Sequence, residues 1–270
     1  MSGRWRPPAL VAGSLALHGA AAVALAAAPQ QWPWLLGLAL ADHAAMAQAC
    51  LRPRSRLLGP NLTRLSADAA GRGEVALTFD DGPDPEVTPR VLDLLAARGA
   101  HASFFCVGRR AAAHPEIAAA AAAAGHRLEN HTHTHPGHFA FRGPRVMERE
   151  IAGAQEAIAH ACGRAPRLFR PPAGFRAPWT DLVLHRSGLA LATWTRRGFD
   201  AVARDPRRVA DRLLRGLAAG DVLLLHDGGG AHGRSGRPVV LEALPRLLDA
   251  LAARGFRAVP LPAPDEAAAA

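Results

Sequence analysis

The sequence predicts an α/β protein with a parallel β-sheet, preceded by an N-terminal pair of apolar helices. Between residues 66 and 270, short apolar segments alternate seven times with longer helical patterns. The short segments are continuously apolar, which is typical of strands covered on both faces. Most of the helical patterns end at a glycine, a common C-terminal signal. These observations leave open whether the sheet is a barrel or an open, doubly wound sheet.

Residues 1–65 are predicted to form a membrane hairpin followed by a basic linker. Residues 7–41 contain no charged side chain. Two apolar stretches, separated by the prolines and tryptophans of residues 29–34, each approach the roughly 20 residues that a spanning helix needs. The first stretch also resembles a signal peptide, because two arginines precede it. The second contains Asp42 and His43, so the alternative is a helix packed on the globular domain.

The distribution of arginines predicts the side of the membrane. Arg4 and Arg6 precede the hairpin, Arg52, Arg54 and Arg56 follow it, and the turn between the helices is uncharged. The positive-inside rule therefore predicts that both ends, and the globular domain, lie in the cytoplasm. If the second stretch does not span, the domain faces outward.

Composition excludes several classes of protein. The formal net charge is +9, and all 32 basic residues are arginine. They are scattered, without interleaved aromatic residues, so no nucleic-acid partner is predicted. The absence of lysine excludes a Schiff-base mechanism and a P-loop lysine. Cys50, Cys106 and Cys162 lie far apart and form no CxxC motif, which indicates free thiols.

The predicted elements follow in a regular order. The strand candidates span residues 74–79, 102–107, 126–130, 167–170, 189–195, 221–226 and 256–261. The helical patterns span residues 87–99, 109–125, 144–163, 178–188, 205–220 and 238–255. No GxGxxG motif follows the first strand, so the fingerprint of a dinucleotide-binding fold is missing.

Polar residues follow the ends of five of these strands. In chain order they are Asp80 and Asp81, His131, Arg170, Asp200 and His226. In barrels and open parallel sheets alike, the carboxyl edge of the strands holds the active site. Five polar clusters at one edge therefore predict an active site there.

The residue types at this edge suit a catalytic metal. Adjacent carboxylates such as Asp80 and Asp81 can diverge at a bend, one toward a metal and one toward a substrate. His131 and His135 are four residues apart in a loop indicated by Pro136 and Gly137, so they can face the same way. Three protein ligands with an open position are typical of a catalytic ion. Nitrogen and oxygen ligands suit zinc, and also cobalt, nickel, manganese or iron. The alternative is a solvated turn with structural histidines.

The motifs TFDDGP, NHTHTH, RPPAG and LLLHD, in this order and over about residues 73–262, resemble those of the polysaccharide deacetylase family. This is the NodB-like family, also called carbohydrate esterase family four. The resemblance implies a distorted (β/α) barrel of about seven parallel strands for residues 66–270. It also implies a metal-dependent hydrolase that removes acetyl groups from N-acetylated sugars or, in some members, from O-acetylated xylan. With the hairpin, it predicts a protein of a bacterial-type inner membrane.

The resemblance also implies roles for individual residues. Asp80 matches the general base, His226 the general acid, Arg170 the arginine that orients the base, and Asp200 the partner of the catalytic histidine. Asp81, His131 and His135 match the ligands of one divalent metal ion, with zinc expected. The backbone N–H of Ala173 is expected to contact the oxyanion, and Leu224 and Trp194 the substrate. His133 falls at a variable position, and His138 is expected at the surface.

Departures from the family pattern concern the substrate. Ala173 replaces a tyrosine, Ala201 a tryptophan and Arg197 an aspartate, so surface for stacking on a sugar is lost. We therefore expect an N-acetylated envelope glycan or a lipid-linked sugar, with Arg196 and Arg197 facing an anion such as phosphate. The alternatives are an O-acetyl carbohydrate esterase and a non-catalytic carbohydrate-binding membrane protein.

Overall fold

A computed structural model describes residues 4–263 of the protein. Within these residues a curled sheet of eight strands forms the centre of the molecule. The strands are β1 (Glu74–Asp80), β2 (Ser103–Cys106), β3 (Arg127–Asn130), β4 (Leu168–Phe169), β5 (Ala190–Leu191), β6 (Arg196–Arg197), β7 (Val222–His226) and β8 (Arg257–Val259). Their order is β5-β4-β3-β2-β1-β7-β6, with β8 beside β1, and the paired strands are parallel. The predicted distorted barrel is confirmed.

Ten α-helices are present in the described part of the chain. They are α1 (Ala9–Ala27), α2 (Trp32–Leu51), α3 (Ala67–Gly71), α4 (Thr88–Ala96), α5 (Gly108–Ala113), α6 (Pro115–Ala123), α7 (Pro144–Cys162), α8 (Thr180–Ser187), α9 (Pro206–Leu214) and α10 (Val239–Ala253). The single helix predicted over residues 109–125 is in fact two. His114 leaves the helical region at φ −133° because Pro115 disfavours a helical conformation in the residue before it.

The central strand β1 divides the core into two parts and aims the site residues. All seven of its residues are buried. Val75, Leu77 and Phe79 pack outward in a cluster that includes the leucines of α10. Ala76 packs inward in a second cluster with Trp194. Because side chains alternate along a strand, Asp80 points into the barrel at its carboxyl end.

The two N-terminal helices form an antiparallel pair with exposed apolar faces. Both are long and apolar enough to cross a membrane. Between them, Ser14 Oγ donates a hydrogen bond to Asp42 Oδ2 (2.6 Å), and the rings of His18 and His43 meet edge to face. Such polar contacts hold helices together in lipid. That the pair spans a membrane stays a prediction.

The second half of the predicted linker is packed into the barrel. Leu58 is only 1% exposed, and Leu65 is also buried. Leu62 pairs with Ala192 beside β5, and the Arg64 backbone pairs with Asp221 before β7. The apolar side chains of this segment explain why it packs into the barrel. The division of the chain at residue 65 stays a prediction, but residues 58–65 contribute to the structure of the barrel.

Candidate active site

Backbone strain is concentrated at the carboxyl edge of the barrel. Within residues 4–263, the non-glycine residues with positive φ are Asp81, Thr132, His135, Ala173 and Phe199. They lie in the loops that follow β1, β3, β4 and β6. A positive φ is costly for residues with a Cβ, and such residues cluster at functional sites. The strained backbone therefore lies at the same edge of the barrel where the polar residues of the sequence predict an active site.

The end of β1 separates two adjacent carboxylates. Asp80 ends the strand and is 4% exposed. Asp81 has φ 76°, and its carbonyl oxygen accepts a hydrogen bond from Arg110 Nη1 at 2.8 Å. This bend directs the two side chains to different partners, as expected from the sequence.

Asp81, His131 and His135 form a compact group of potential metal ligands. Asp81 Oδ1 lies 3.3 Å from His131 Nε2 and 3.1 Å from His135 Nε2. The imidazole of His131 is oriented by its other nitrogen, since Nδ1 donates a hydrogen bond to the Arg170 carbonyl oxygen at 2.7 Å. That arrangement directs Nε2 toward Asp81 Oδ1, an orientation typical of metal-binding histidines.

The group fits a divalent cation. Asp81 Oδ1 is buried and has no hydrogen-bond partner among the described residues. Burial alone would raise the pKa of Asp81, but the two neighbouring imidazoles outweigh it and hold this pKa well below its usual range. An ionised, unpartnered carboxylate oxygen beside two imidazole nitrogens matches the nitrogen and oxygen ligands that zinc and related ions prefer.

The second carboxylate, Asp80, is paired with a fully buried arginine. Arg170 Nη1 donates to Asp80 Oδ1 at 2.6 Å and to Thr78 Oγ1 at 2.9 Å. The carbonyl oxygens of Ala192 and Thr193 accept hydrogen bonds from Nε and Nη2 of the same side chain. The guanidinium is therefore fixed on several sides, and it fixes one oxygen of Asp80.

His226 and Asp200 form a further buried pair. His226 Nδ1 lies 2.9 Å from Asp200 Oδ1, and the His226 backbone N–H donates to Asp200 Oδ2 at 2.7 Å. Burial acts to lower the pKa of His226, but Asp200, with smaller contributions from Asp80 and Asp81, raises it to about 9. The imidazole is therefore protonated at neutral pH. Because β1 and β7 pair with Asp80 opposite His226, both groups face one space.

The residues expected to contact substrate lie next to these pairs. Ala173 is exposed, with φ 56°, directly after the Arg170-Pro171-Pro172 turn. Leu224 and Trp194 are buried together in the inner core cluster, where the Trp194 ring lies 5.6 Å from the Arg170 guanidinium. Their predicted contacts with substrate stay predictions.

Two further histidines and two arginines lie around the candidate site in different environments. His133 turns toward α5 and α7, where its ring lies against Gly108 and Gly153, and His138 is exposed. Arg196 donates hydrogen bonds to the Asp221 carboxylate and to backbone carbonyl oxygens of the loop after α9. The anion at its guanidinium is therefore the Asp221 carboxylate, and contact with a substrate anion stays a prediction. Arg197 instead lies over Trp194 and Phe199 at the edge of the site.

Glu150 and Asp227 support the site and were not predicted from the sequence. Glu150 of α7 accepts hydrogen bonds from the backbone N–H groups of His133 and Thr134, and so holds the histidine loop. Asp227 accepts from the Gly82 N–H at 3.1 Å and from Thr88 Oγ1 at 2.7 Å. A Cβ at Gly82 would lie 2.0 Å from the Asp227 carboxylate, which explains the glycine of the TFDDGP motif. Glu150 has no local sequence signal, whereas Asp227 directly follows His226.

A curled parallel barrel that gathers carboxylates, imidazoles and a buried arginine at its carboxyl edge is typical of metal-dependent hydrolases. The family model described as polysaccharide deacetylase matches residues 67–192. Over 198 residues the chain is 35% identical to a chitooligosaccharide deacetylase of Azorhizobium caulinodans, covering 71% of this chain and 94% of that protein. The protein therefore belongs to the polysaccharide deacetylase family of hydrolases, as its motifs predicted.

Two further relatives agree with this membership. A peptidoglycan-N-acetylglucosamine deacetylase of Bacillus cereus is 31% identical over 193 residues, which cover 68% of this chain and 84% of that protein. The structure of a family 4 carbohydrate esterase from Streptomyces lividans, in complex with acetate, superposes with a TM-score of 0.62 at 35% identity. That match covers 69% of this chain and 91% of the esterase. The similarity spans the barrel in both sequence and structure.

Proposed function

We propose that the protein removes the N-linked acetyl group from an amino sugar of a cell-envelope glycan or glycolipid, in a metal-dependent hydrolysis. The observation that carries this proposal is the convergence of three polar groups at one barrel edge: the Asp80–Arg170 pair, the His226–Asp200 pair and the Asp81–His131–His135 cluster. The names of the relatives, which act on chitooligosaccharides and peptidoglycan, support N-acetylated glycans as the substrate class.

Asp81, His131 and His135 would hold the metal ion, with zinc as the expected species. When bound, the ion supplies Lewis-acid polarisation of the acetyl carbonyl. Asp80 is the base: its Oδ1 is held by Arg170, so Oδ2 is the atom that accepts a proton from the attacking water. Arg170 positions this carboxylate by one hydrogen bond from its fully buried guanidinium.

His226 completes the reaction as the acid. Its Nδ1 is engaged by Asp200, so Nε2 delivers the proton to the leaving nitrogen as the C–N bond breaks. The acyl carbon keeps the hydroxyl of the attacking water, and the products are acetate and a free amine. The backbone N–H of Ala173 is the proposed donor to the oxyanion, and Leu224 and Trp194 are the proposed contacts of the acetyl group and sugar.

We expect Asp200→Asn to shift the alkaline limb of the activity profile to lower pH. Asp200 raises the pKa of His226 to about 9, and removing its charge lets this pKa fall toward the ordinary value of about 6.5. The acid form of His226 is then lost at lower pH, by about one to two units. The measurement is kcat/KM against pH, with Asp249→Asn at an exposed site as the control. An unmoved alkaline limb in Asp200→Asn would contradict the assignment of His226 as the acid.

The direct test of the function is acetate release by the full chain in detergent after loading with zinc or cobalt. The substrates are N-acetylglucosamine oligomers and a simple acetyl ester, with Asp80→Asn as the inactive control. Acetate from the oligomers supports the N-deacetylase. Cleavage of the ester alone would favour an O-acetyl esterase, and no release from the metal-loaded protein would favour a non-catalytic binding protein.

We also propose that α1 and α2 anchor the protein in an inner membrane with the barrel on the cytoplasmic side. Five arginines flank the hairpin at the end next to the barrel, while its turn is uncharged. The end of α2 contacts the loop after the RPPAG motif, where the Arg176 N–H donates to the Cys50 carbonyl oxygen at 3.1 Å.

A lipid-linked sugar is the substrate that this arrangement favours, because the site lies close to the proposed membrane surface. Arg197 supplies a positive charge that would attract an anionic group of such a substrate. Its Nε is buried without a hydrogen-bond partner in the described part of the chain. Its guanidinium lies between the rings of Trp194 and Phe199, at 5.6 Å and 5.0 Å.

A further inference from the structure

A cavity lies between the segment before α1 and the side of the barrel formed by the linker, β4, α8 and β5. Its volume is about 770 Å³, within the range of sites that bind small molecules. Its walls are mostly apolar and come from the segment before α1, the linker, β4, α8 and β5. Trp5, Pro60, Leu62 and Ala190 form the accessible part of this wall, and the other leucines that line it are buried. None of the active-site residues lines it, so this cavity is separate from the catalytic edge.

The charged residues of this cavity are mostly positive. Arg4, Arg6 and Arg56 line it, and Asp181 is the acidic residue among its lining residues. The Asp181 carboxylate already accepts a hydrogen bond from Trp5 Nε1 at 2.8 Å. Among residues 4–263, Arg4, Arg6 and Arg56 form no ion pair with an acidic side chain within 4.0 Å. The cavity therefore combines an apolar wall with unpaired positive charge.

The position of the cavity relates it to the hairpin. Arg4 and Arg6 precede the first residue of α1, Ala9, and Arg56 follows the last residue of α2, Leu51. If the hairpin spans a membrane, these three arginines lie at the depth of the lipid headgroups. Basic residues at this depth attract anionic lipids, and basic pockets beside membrane helices bind their phosphates.

We propose that this cavity binds one anionic phospholipid, with an acyl chain along the accessible apolar wall at Trp5, Pro60, Leu62 and Ala190 and the phosphate against Arg4, Arg6 and Arg56. The proposal rests on the proposed membrane position of the hairpin but not on the deacetylase activity. A free phosphate would leave the apolar wall exposed, and a zwitterionic lipid would carry no net charge to match the arginines. The bound lipid would fix the barrel against the membrane surface beside α8.

The test uses the full chain in detergent and measures lipid binding by native mass spectrometry. The probes are phosphatidylglycerol, phosphatidylcholine with the same acyl chains, and inorganic phosphate. We expect one phosphatidylglycerol per chain, bound at least about fivefold more tightly than phosphatidylcholine, and no competition from inorganic phosphate at equal concentration. Equal binding of the two lipids, or displacement by free phosphate, would overturn the proposal.

Matched variants separate this site from general attraction to a basic surface. Arg56→Gln should weaken phosphatidylglycerol binding about fivefold. Arg54→Gln removes the same charge two residues away, where Arg54 does not line the cavity, and should leave binding unchanged. Equal weakening by both variants would show a non-specific surface effect and overturn the proposal.

Filling the cavity tests the position of the acyl chain. Leu62→Trp and Ala190→Leu each add volume at a half-buried lining residue and should reduce binding, while far-ultraviolet circular dichroism confirms the fold. Binding that survives in both folded variants would place the chain elsewhere and overturn the proposal. Because lipid binding is measured directly, its failure would be distinguishable from a failure of acetate release.

Discussion

Asp80→Asn is expected to lower kcat/KM by about 10²- to 10⁴-fold while leaving the metal content unchanged. The amide keeps the size of the side chain and can still accept the hydrogen bond from Arg170 Nη1 through its oxygen. Its nitrogen cannot accept a proton, so the loss concerns the base alone. The proposed metal ligands should be unaffected because Asp81, rather than Asp80, contacts both imidazoles at 3.1–3.3 Å.

The variant also tests how the buried arginine is supported. Removing the charge of Asp80 leaves Arg170 without its counter-ion, and breaking such a pair costs about 3–5 kcal/mol when nothing else holds the charge. Here Thr78 and the carbonyl oxygens of Ala192 and Thr193 still accept from the guanidinium. We therefore expect a folded protein with a smaller loss of stability.

Three measurements on the purified full chain check this prediction: acetate release, metal per chain and thermal unfolding. Asp68→Asn, an exposed aspartate of α3, serves as the control for the loss of one carboxylate. If metal and activity fell together in Asp80→Asn, Asp80 would belong to the metal site instead. If activity persisted, the role of general base would be wrong.

Elements stabilised by a local apolar pattern could be predicted from the sequence, whereas elements held by contacts between distant residues could not. The clearest strand candidates were found because burial on both faces favours continuous apolar runs, as in β7, where Val222 is followed by three leucines. β6 was missed because its two residues are Arg196 and Arg197. Arg196 is held there by Asp221 and by the loop after α9, contacts between distant parts of the chain that no local pattern encodes.

The candidate site was likewise predictable only in part. The sequence placed the polar residues at the strand ends, and the resemblance supplied their expected roles. It could not supply the conformations that orient them, such as the left-handed backbone of Asp81 and His135, because these arise from packing of whole loops. Glu150 holds the histidine loop from a helix that begins several residues later, so only the folded chain brings the two together.

His131→Ala is expected to abolish both metal binding and turnover. His131 is buried, and its Nε2 lies 3.3 Å from Asp81 Oδ1 while its Nδ1 is held by the Arg170 carbonyl oxygen. Loss of an outer partner of a metal ligand typically costs about 10–100-fold in affinity, so loss of the ligand itself should cost more than about 100-fold. Unlike Asp80→Asn, this variant should lose the ion first and activity as a consequence.

The measurement separates the ligand from a merely structural histidine. Free metal at about 100 times its Kd should raise the free energy of unfolding of the wild type by about 2.7 kcal/mol, because the ion binds only the folded state. His131→Ala should show no such metal-dependent rise in Tm, whereas His138→Ala, an exposed histidine of the same loop, should keep it. Equal metal content and equal stabilisation in wild type and His131→Ala would refute the ligand assignment. If His131→Ala had a lower Tm than the wild type without metal but the same metal-dependent rise in Tm, His131 would only support the loop that contains Arg170.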